Sequence, residues 1–174
     1  MRHIWTAIAL AFIGVMAARA WLAMPAPPAF EELAGVARTV DGDTIRVGDR
    51  RVRIGAIDAC EIGQTGLIAG QRWDCGSAGR DAMARMIEGR AVSCRVFDID
   101  QHDRLVAQCF AENRDIGLAM VTAGHAFVVT RWLPRAHPLD LDQYRLAESA
   151  ARERNAGLWG AEIREPSEHR AGSS

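Results

Sequence analysis

The sequence predicts an α+β protein, mainly β, in which five short strands form a small closed barrel and three helices pack on it. Five short segments alternate polar and apolar residues, which is the period of half-buried strands. Helical patterns interrupt these segments and follow them. A closed barrel suits this order, because closure removes the exposed edges of the sheet.

The first three strands are expected to form one continuous meander. Gly48 and Asp49 supply a tight turn between the second and third strands, so those two strands should pair antiparallel. The last two strands follow the first helix and are joined by a polar loop. The five strands are expected at residues 33–40, 43–47, 51–57, 91–97 and 105–110.

Three helices are expected after or between the strands. Ser77 is expected to cap a helix that runs to Glu88, and Asp115 to cap a short helix over residues 116–123. The last helix is expected over residues 139–154, followed by Leu158 and Trp159 as an apolar plug. Residues 58–73 read as one long loop, and loops of that length are uncommon unless they are functional.

The N-terminus resembles a targeting segment. Residues 1–24 contain an apolar run after Arg2 and are interpreted as a signal peptide or, alternatively, an N-terminal membrane anchor. Both interpretations place the rest of the chain outside the cytoplasm. A cleaved signal peptide would leave a periplasmic or secreted protein, and an anchor would leave a membrane-bound protein that faces outward. Residues 25–32 are then a Pro-rich linker, residues 33–163 the folded domain, and residues 164–174 a polar tail.

Cysteine usage agrees with export. Four cysteines in an exported chain suggest disulfides, and four cysteines allow three pairings. Cys94 and Cys109 lie in neighbouring predicted strands, and Cys60 and Cys75 bracket the long loop. We therefore expect the pairs 60–75 and 94–109. The alternative of a zinc site lacks any Cys-x-x-Cys or paired histidine spacing.

The charge composition limits how the chain can bind a polyanion. The formal net charge is −1, and every one of the 21 basic residues is an arginine. Proteins that hold nucleic acid by overall charge are usually strongly basic. A phosphate would therefore have to be held locally, and the arginine fork is suited to that contact.

The turn-rich stretch from Asp41 to Glu61 suggests an active site. Asp43 and Asp58 should converge at the open end of a hairpin, where two carboxylates can bind a hard cation. Arg53 and Glu61 lie close by in sequence and are candidates for a phosphate ligand and a general base.

These features, together with Arg104, resemble the staphylococcal nuclease (thermonuclease) family. The resemblance covers about residues 36–159. It rests on the order and spacing of four motifs: Asp-Gly-Asp-Thr at 41–44, Arg53-x4-Asp58-x2-Glu61, Asp100-x3-Arg104, and Glu148 followed by Gly157-Leu158-Trp159.

The resemblance implies an OB-fold and a set of roles. It implies a Ca²⁺ ion bound by Asp43, Asp58 and the backbone carbonyl of Ala59, with Asp41 and Thr44 supporting these ligands through hydrogen bonds. It implies Arg53, Glu61 and Arg104 as catalytic residues in the hydrolysis of DNA and RNA to 3′-phosphate products. Trp132 is expected to contact the substrate, and the protein is expected to be a monomer.

Three departures from the family pattern bear on activity. Cys60 stands where the family usually has proline. Gln101-His102-Asp103 replaces a Lys-Tyr-Gly run, which removes one positive charge and one ring. It also places Asp103 beside Arg104, where its carboxylate is expected to pair with the arginine and compete with phosphate. Trp132 is the single aromatic ring left where two tyrosines are expected. These changes predict an active nuclease that binds weakly; the alternative is a catalytically weak or inactive OB-fold module that binds nucleic acid or an envelope protein partner.

Overall fold

The computed structural model describes residues 30–171, so the predicted signal peptide or anchor and most of the Pro-rich linker lie outside the described residues. The strands are β1 Glu31–Thr39, β2 Thr44–Val47, β3 Arg50–Ile54, β4 Ile57–Asp58, β5 Thr65–Ile68, β6 Gln71–Asp74, β7 Ala91–Ile99, β8 Leu105–Ala111, β9 Arg114–Asp115 and β10 Phe127–Val128. The helices are α1 Cys75–Ile87, α2 Ile116–Thr122, α3 Leu141–Glu153 and α4 Pro166–Ala171, with a 3₁₀ turn at Gly157–Gly160.

Five strands form the closed barrel that the sequence predicts. They are ordered β3-β2-β1-β7-β8, and a parallel pairing of β3 with β8 closes the ring, with Val52 opposite Leu105. Gly48 makes the β2–β3 turn at φ +59°, a backbone conformation that favours glycine. The predicted OB-fold barrel is confirmed, since the five strands expected from the sequence form a closed, mixed ring.

The barrel interior is the core of the molecule. Its strands contribute alternate apolar side chains, and α1 and α2 cover it with Met83, Ile87, Ile116 and Met120, all of which are buried. Tyr144 on α3 is also buried and donates its hydroxyl proton to Asp115, the residue that caps α2. Apolar side chains therefore hold α1 and α2 on the barrel, and a buried hydrogen bond links α3 to the start of α2.

A second, smaller apolar cluster lies beside the barrel. It joins Phe127 and Leu158 to the disulfide of Cys60 and Cys75, with Trp159 packed edge-on against Phe127. The predicted role of Leu158 and Trp159 as an apolar plug is confirmed. Because this cluster contains Cys60, it connects the C-terminal segment to the loop that carries Glu61.

Three local expectations were wrong. The segment expected as an irregular loop contains the hairpin β5–β6, with Thr65 opposite Asp74. Helix α1 begins earlier than expected, because Asp74 and not Ser77 is its cap: the Asp74 carboxylate accepts from the Ser77 backbone N–H (2.8 Å) and hydroxyl (2.9 Å). The segment expected only as a polar tail contains α4, so residues 30–171 contain four α-helices where three were expected.

Within residues 30–171, no helix is long and apolar enough to cross a membrane.

Candidate active site

The Asp41 turn sets the geometry at the start of β2. The Asp41 carboxylate oxygen Oδ1 accepts from the backbone N–H groups of Asp43 (3.0 Å) and Thr44 (2.7 Å). Burial, followed by the negative charge of Asp43, raises the pKa of Asp41 to about 6. Asp41 thus supports the turn through hydrogen bonds, as expected for a residue beside the site.

Asp43 and Asp58 are both buried, and they approach each other from the turn before β2 and from β4. Asp58 lies on β4, which pairs with β10 so that Phe127 stands opposite Asp58. The Ala59 backbone N–H donates to Asp43 Oδ2 (3.0 Å), which locks the chain after Asp58 against Asp43. The predicted convergence of the two carboxylates is therefore found.

Arg53 lies between these two carboxylates. Its Nη1 forms an ion pair with Asp43, and its Nη2 donates to Asp58 Oδ1 (3.0 Å). Burial acts to lower the pKa of Arg53, but the charges of Asp43 and Asp58 outweigh it and raise the pKa above its usual value. One cationic group thus touches both carboxylates at once.

Arg104 reaches the same place from the loop between β7 and β8. Asp100 orients it by accepting from its backbone N–H (3.0 Å) and from its side-chain Nε (2.7 Å). Nη1 of Arg104 donates to the hydroxyl of Thr44 (3.3 Å), and that hydroxyl donates to Asp43 (3.1 Å). The expectation that Asp103 would pair with Arg104 was wrong, because Asp100 is the carboxylate that pairs with it.

Glu61 is placed by the loop that the first disulfide closes. Cys60 is bonded to Cys75 at the start of α1, and the Glu61 backbone N–H donates to the side chain of buried Gln64 (3.0 Å). The Glu61 carboxylate itself points outward and is about two-fifths exposed. The second predicted disulfide, Cys94 to Cys109, joins β7 and β8 in the barrel.

A cleft of about 710 Å³ brings the predicted residues together. Trp132 stands on its rim, with its side chain 76% exposed and the guanidinium of Arg131 stacked over its ring at 5.2 Å. Asp58, Ala59 and Thr44 lie behind the wall of this cleft and contact residues that line it. The predicted residues that line the cleft are Asp41, Asp43, Arg53, Glu61, Arg104 and Trp132.

Arg170 is a site residue that the sequence did not reveal. It lies on α4, and its guanidinium donates to both oxygens of Asp58 (3.3 and 2.9 Å) and to Glu61 (2.5 Å). These hydrogen bonds and charges raise its pKa above the usual arginine value. Pro166 at the first helical position signals a helix start, but no pattern in the polar segment indicates that the helix would dock in the cleft.

Glu148 has a structural role. Its carboxylate accepts from the Val128 backbone N–H (2.8 Å) and pairs with Arg152 (3.2 Å). Since β10 pairs with β4, this contact helps to fix the strand that carries Asp58.

Comparison with known proteins decides the family. The chain matches the staphylococcal nuclease homologue family over residues 51–161, more than half of its length. The chain belongs to this family. The predicted resemblance to the staphylococcal nuclease family is therefore confirmed.

Relatives of this nuclease homologue come from bacteria and fungi. The succinoglycan biosynthesis protein ExoI of Rhizobium meliloti (strain 1021) is 31% identical over 140 residues, or 77% of this chain and 68% of that protein. An uncharacterized endonuclease of Escherichia coli O157:H7 is 30% identical over 129 residues, 71% of this chain and 74% of its own. The probable endonuclease lcl3 of Pyrenophora tritici-repentis (strain Pt-1C-BFP) is 31% identical over 112 residues, 62% of this chain and 40% of its own.

The donor atoms of this nuclease homologue suit a hard cation. Within residues 30–171 no group of three or more His, Cys, Asp or Glu side chains is placed to hold a metal ion. A site would therefore combine the carboxylates of Asp43 and Asp58 with a backbone carbonyl such as that of Ala59. These are oxygen ligands of the kind that Ca²⁺ takes, and the contact of Arg53 with both carboxylates shows that one cationic group can reach them together.

Proposed function

We propose that this chain is an extracytoplasmic, calcium-dependent nuclease that hydrolyses phosphodiester bonds of DNA and RNA and leaves 3′-phosphate products. One observation carries the proposal: a buried carboxylate, two arginines and a glutamate from separate segments line one cleft, and the buried carboxylate of Asp58 contacts Arg53 from behind its wall. A phosphodiester repels an attacking nucleophile, and these residue types can neutralise the added negative charge.

Each residue has a distinct task in this mechanism. Asp43, Asp58 and the Ala59 carbonyl would hold Ca²⁺, which when bound would supply positive charge to stabilise the phosphate. Arg53 and Arg104 each present a planar fork that donates two parallel hydrogen bonds to the phosphate oxygens. Their partners Asp43 and Asp100 hold the guanidiniums in place before the substrate arrives.

Glu61 is the general base. It lies on the rim of the cleft and is partly exposed, so a water molecule can reach it. Glu61 accepts a proton from this water as the oxygen attacks phosphorus; the bond to the 5′-oxygen breaks, and the leaving oxygen takes a proton from solvent water to become the 5′-hydroxyl. The phosphate then remains on the 3′ side. Trp132, exposed on the rim, supplies a ring on which a base can stack.

The location is part of the same proposal. The apolar N-terminal segment followed by two disulfides supports export across the inner membrane, either with cleavage or with the segment kept as an anchor. A reporter enzyme that is active only after export, fused after residue 174, tests it. An inactive fusion would contradict export. We expect the exported protein to be a monomer.

Site variants test the assignment. Glu61→Gln should slow cleavage of DNA and RNA about 10²–10⁴-fold, and Arg104→Ala about 10²–10³-fold, because each removes a group that acts in the transition state. Arg95→Ala is the matched control, since Arg95 is exposed on β7, away from the cleft, where it pairs with Glu32 and lies over the ring of Phe110. Full rates in Glu61→Gln or Arg104→Ala would reject this site.

A second candidate function has one observation in its favour. Arg170 donates hydrogen bonds to the carboxylates of Asp58 and Glu61, the proposed cation ligand and general base. Carboxylates engaged in this way favour a module that binds nucleic acid or an envelope protein without cleaving it. Calcium-independent binding of nucleic acid without any cleavage would select this function.

A further inference from the structure

Three arginines form a row across the outside of the barrel. Arg38 on β1 stands directly opposite Arg46 on β2, and Arg46 stands directly opposite Arg51 on β3. All three side chains are exposed. Directly opposite residues have Cβ atoms about 5 Å apart, so the row places three positive charges in line across three adjacent strands.

Folding does not explain this row. Like charges directly opposite each other destabilise a sheet, and acidic neighbours usually relieve such repulsion. Within residues 30–171 none of the three guanidiniums forms an ion pair. The single hydrogen bond found for them runs from Arg46 Nη1 to the backbone carbonyl of Asp49 (2.9 Å). A chain with a net charge of −1 thus carries an uncompensated positive stripe.

The row lies next to the cleft, on the same face of the strands. Residues two apart on a strand face the same side, so Arg51 shares a face with Arg53, and Arg46 shares a face with Thr44. Thr44 and Arg53 are themselves directly opposite each other and belong to the candidate site. One step of about 7 Å along the strands therefore leads from the site to the row.

We propose that Arg38, Arg46 and Arg51 form a track that binds the sugar-phosphate backbone of a polynucleotide held in the cleft. The proposal rests on the proposed nuclease function, which puts a phosphate at Arg53. Arginine forks bind phosphate oxygens, and a nucleic acid strand carries one charge per about 3.4 Å of helix axis, close enough to the row's spacing for flexible side chains. Such contacts are independent of sequence, which suits an enzyme that acts on both DNA and RNA.

An anionic membrane surface is the other polyanion that an arginine row fits. Continuity of the row with Arg53 favours a polynucleotide, because a strand that enters the cleft must leave across a neighbouring face. Binding to a membrane surface would not require the row to lie next to the cleft.

Direct binding tests the track without any cleavage. The full-length protein is compared with the triple variant Arg38→Gln, Arg46→Gln, Arg51→Gln, and with a control triple that removes the same charge from exposed arginines elsewhere, Arg80→Gln, Arg114→Gln, Arg145→Gln. The probe is a fluorescein-labelled DNA oligonucleotide long enough to cover cleft and row, in chelator, followed by anisotropy over a range of salt concentrations.

The track variant should raise Kd about tenfold or more and lower the salt slope by about 2, since each single-strand phosphate contact contributes about 0.7. The control triple should change Kd less than about twofold. The circular dichroism spectrum of the track variant should match that of the wild type, and its melting temperature should match or exceed the wild-type value, because repulsion within the row is removed. Equal losses in both triples, or no binding by the wild type, would overturn the track.

Cleavage kinetics and vesicle binding complete the test. With calcium, the track variant should raise KM for a long polymer and leave kcat and KM for a dinucleotide unchanged, since a dinucleotide is too short to reach the row. Equal loss on both substrates would overturn the proposal. So would a track variant that loses binding to phosphatidylglycerol vesicles but keeps full affinity for DNA.

If the wild type binds DNA through the row but never cleaves it, the nuclease function fails while the track stands.

Discussion

At the scale of single residues, the ionised carboxylate of Asp41 destabilises the folded state. Its raised pKa of about 6 exceeds the ordinary value of 3.8, so the folded state binds this proton more tightly than the unfolded chain. Folding stability is therefore greatest with Asp41 protonated. It falls as pH rises between these two values, and the loss is complete above about pH 6.

Asp41→Asn should therefore stabilise the protein near neutral pH. Asparagine keeps the side-chain oxygen that accepts from Asp43 and Thr44 but removes the charge that repels Asp43. We expect the free energy of unfolding in chelator to rise by about 1–2 kcal/mol above pH 6, allowing for partial solvation of the group. This advantage should vanish near pH 4.

Urea unfolding across this pH range measures the effect, with Asp81→Asn on the exposed side of α1 as the control. An advantage that is the same at every pH would show that the raised pKa is not its source.

Arg170 shows how a residue outside the family motifs can act on the site. Its guanidinium takes both oxygens of Asp58, the same atoms that the proposed function gives to Ca²⁺. Arg170→Ala should therefore tighten Ca²⁺ binding about tenfold, since a charge-assisted contact of this kind contributes about 1.5–3 kcal/mol.

Calorimetric titration with Ca²⁺ measures this change. Arg164→Ala, from the same C-terminal segment, is the control. Weaker Ca²⁺ binding in Arg170→Ala would show that this arginine supports the site and does not compete for it.

The identities of most site residues could be predicted, because only a few side-chain types can bind a cation, bind a phosphate or act as a general base. The acids and arginines of the hairpin and Arg104 were found from motif spacing, which reflects strand pairing. Arg170 could not be found in that way, because its contact depends on where a six-residue helix docks, and a short polar helix carries no periodic signal for its packing.

At the scale of elements, the two disulfides have different tasks although they close loops of the same size. Both join cysteines 15 residues apart, so the chain-entropy effect of removing either is about 3 kcal/mol. Cys94–Cys109 links two strands that are already paired. Cys60–Cys75 fixes the loop that carries Glu61 against the start of α1.

Replacing each pair by serine should therefore separate stability from activity. Both double variants should lose comparable stability, measured by thermal unfolding. The Cys60→Ser, Cys75→Ser variant should also lose about tenfold or more in kcat, because Glu61 is displaced from its position. At a temperature where both remain folded, the Cys94→Ser, Cys109→Ser variant should retain its kcat. Equal kcat in the two variants would contradict a positioning role for the first disulfide.

Elements with strong periodicity were predicted well, and short ones less so. The barrel strands alternate, and α3 carries an amphipathic pattern, so both were found within a few residues. The hairpin β5–β6 was missed because it lies outside the barrel and has no buried face to impose alternation. The start of α1 was misplaced because Asp74 and Ser77 are both good caps, and only the three-residue spacing between them shows which one precedes the helix.

At the scale of the whole molecule, a barrel of ordinary composition gathers charged groups from segments far apart in sequence. The turn before β2, β3, the loop after β4, the β7–β8 loop and α4 each deliver one or two charged side chains to the cleft. Family membership follows from the sequence and the comparisons, and the closed barrel explains how distant motifs meet. The network of arginines on carboxylates could not be read from the sequence, because it depends on the relative positions of all these elements.

Calcium-dependent hydrolysis tests the central claim most directly. The full-length protein is incubated with end-labelled DNA and RNA, with Ca²⁺ or with a calcium chelator, and the ends of the products are identified. The account predicts cleavage of both polymers to fragments with 3′-phosphate ends in Ca²⁺ and loss of cleavage in chelator. Undiminished cleavage in chelator, or none with Ca²⁺, would contradict it.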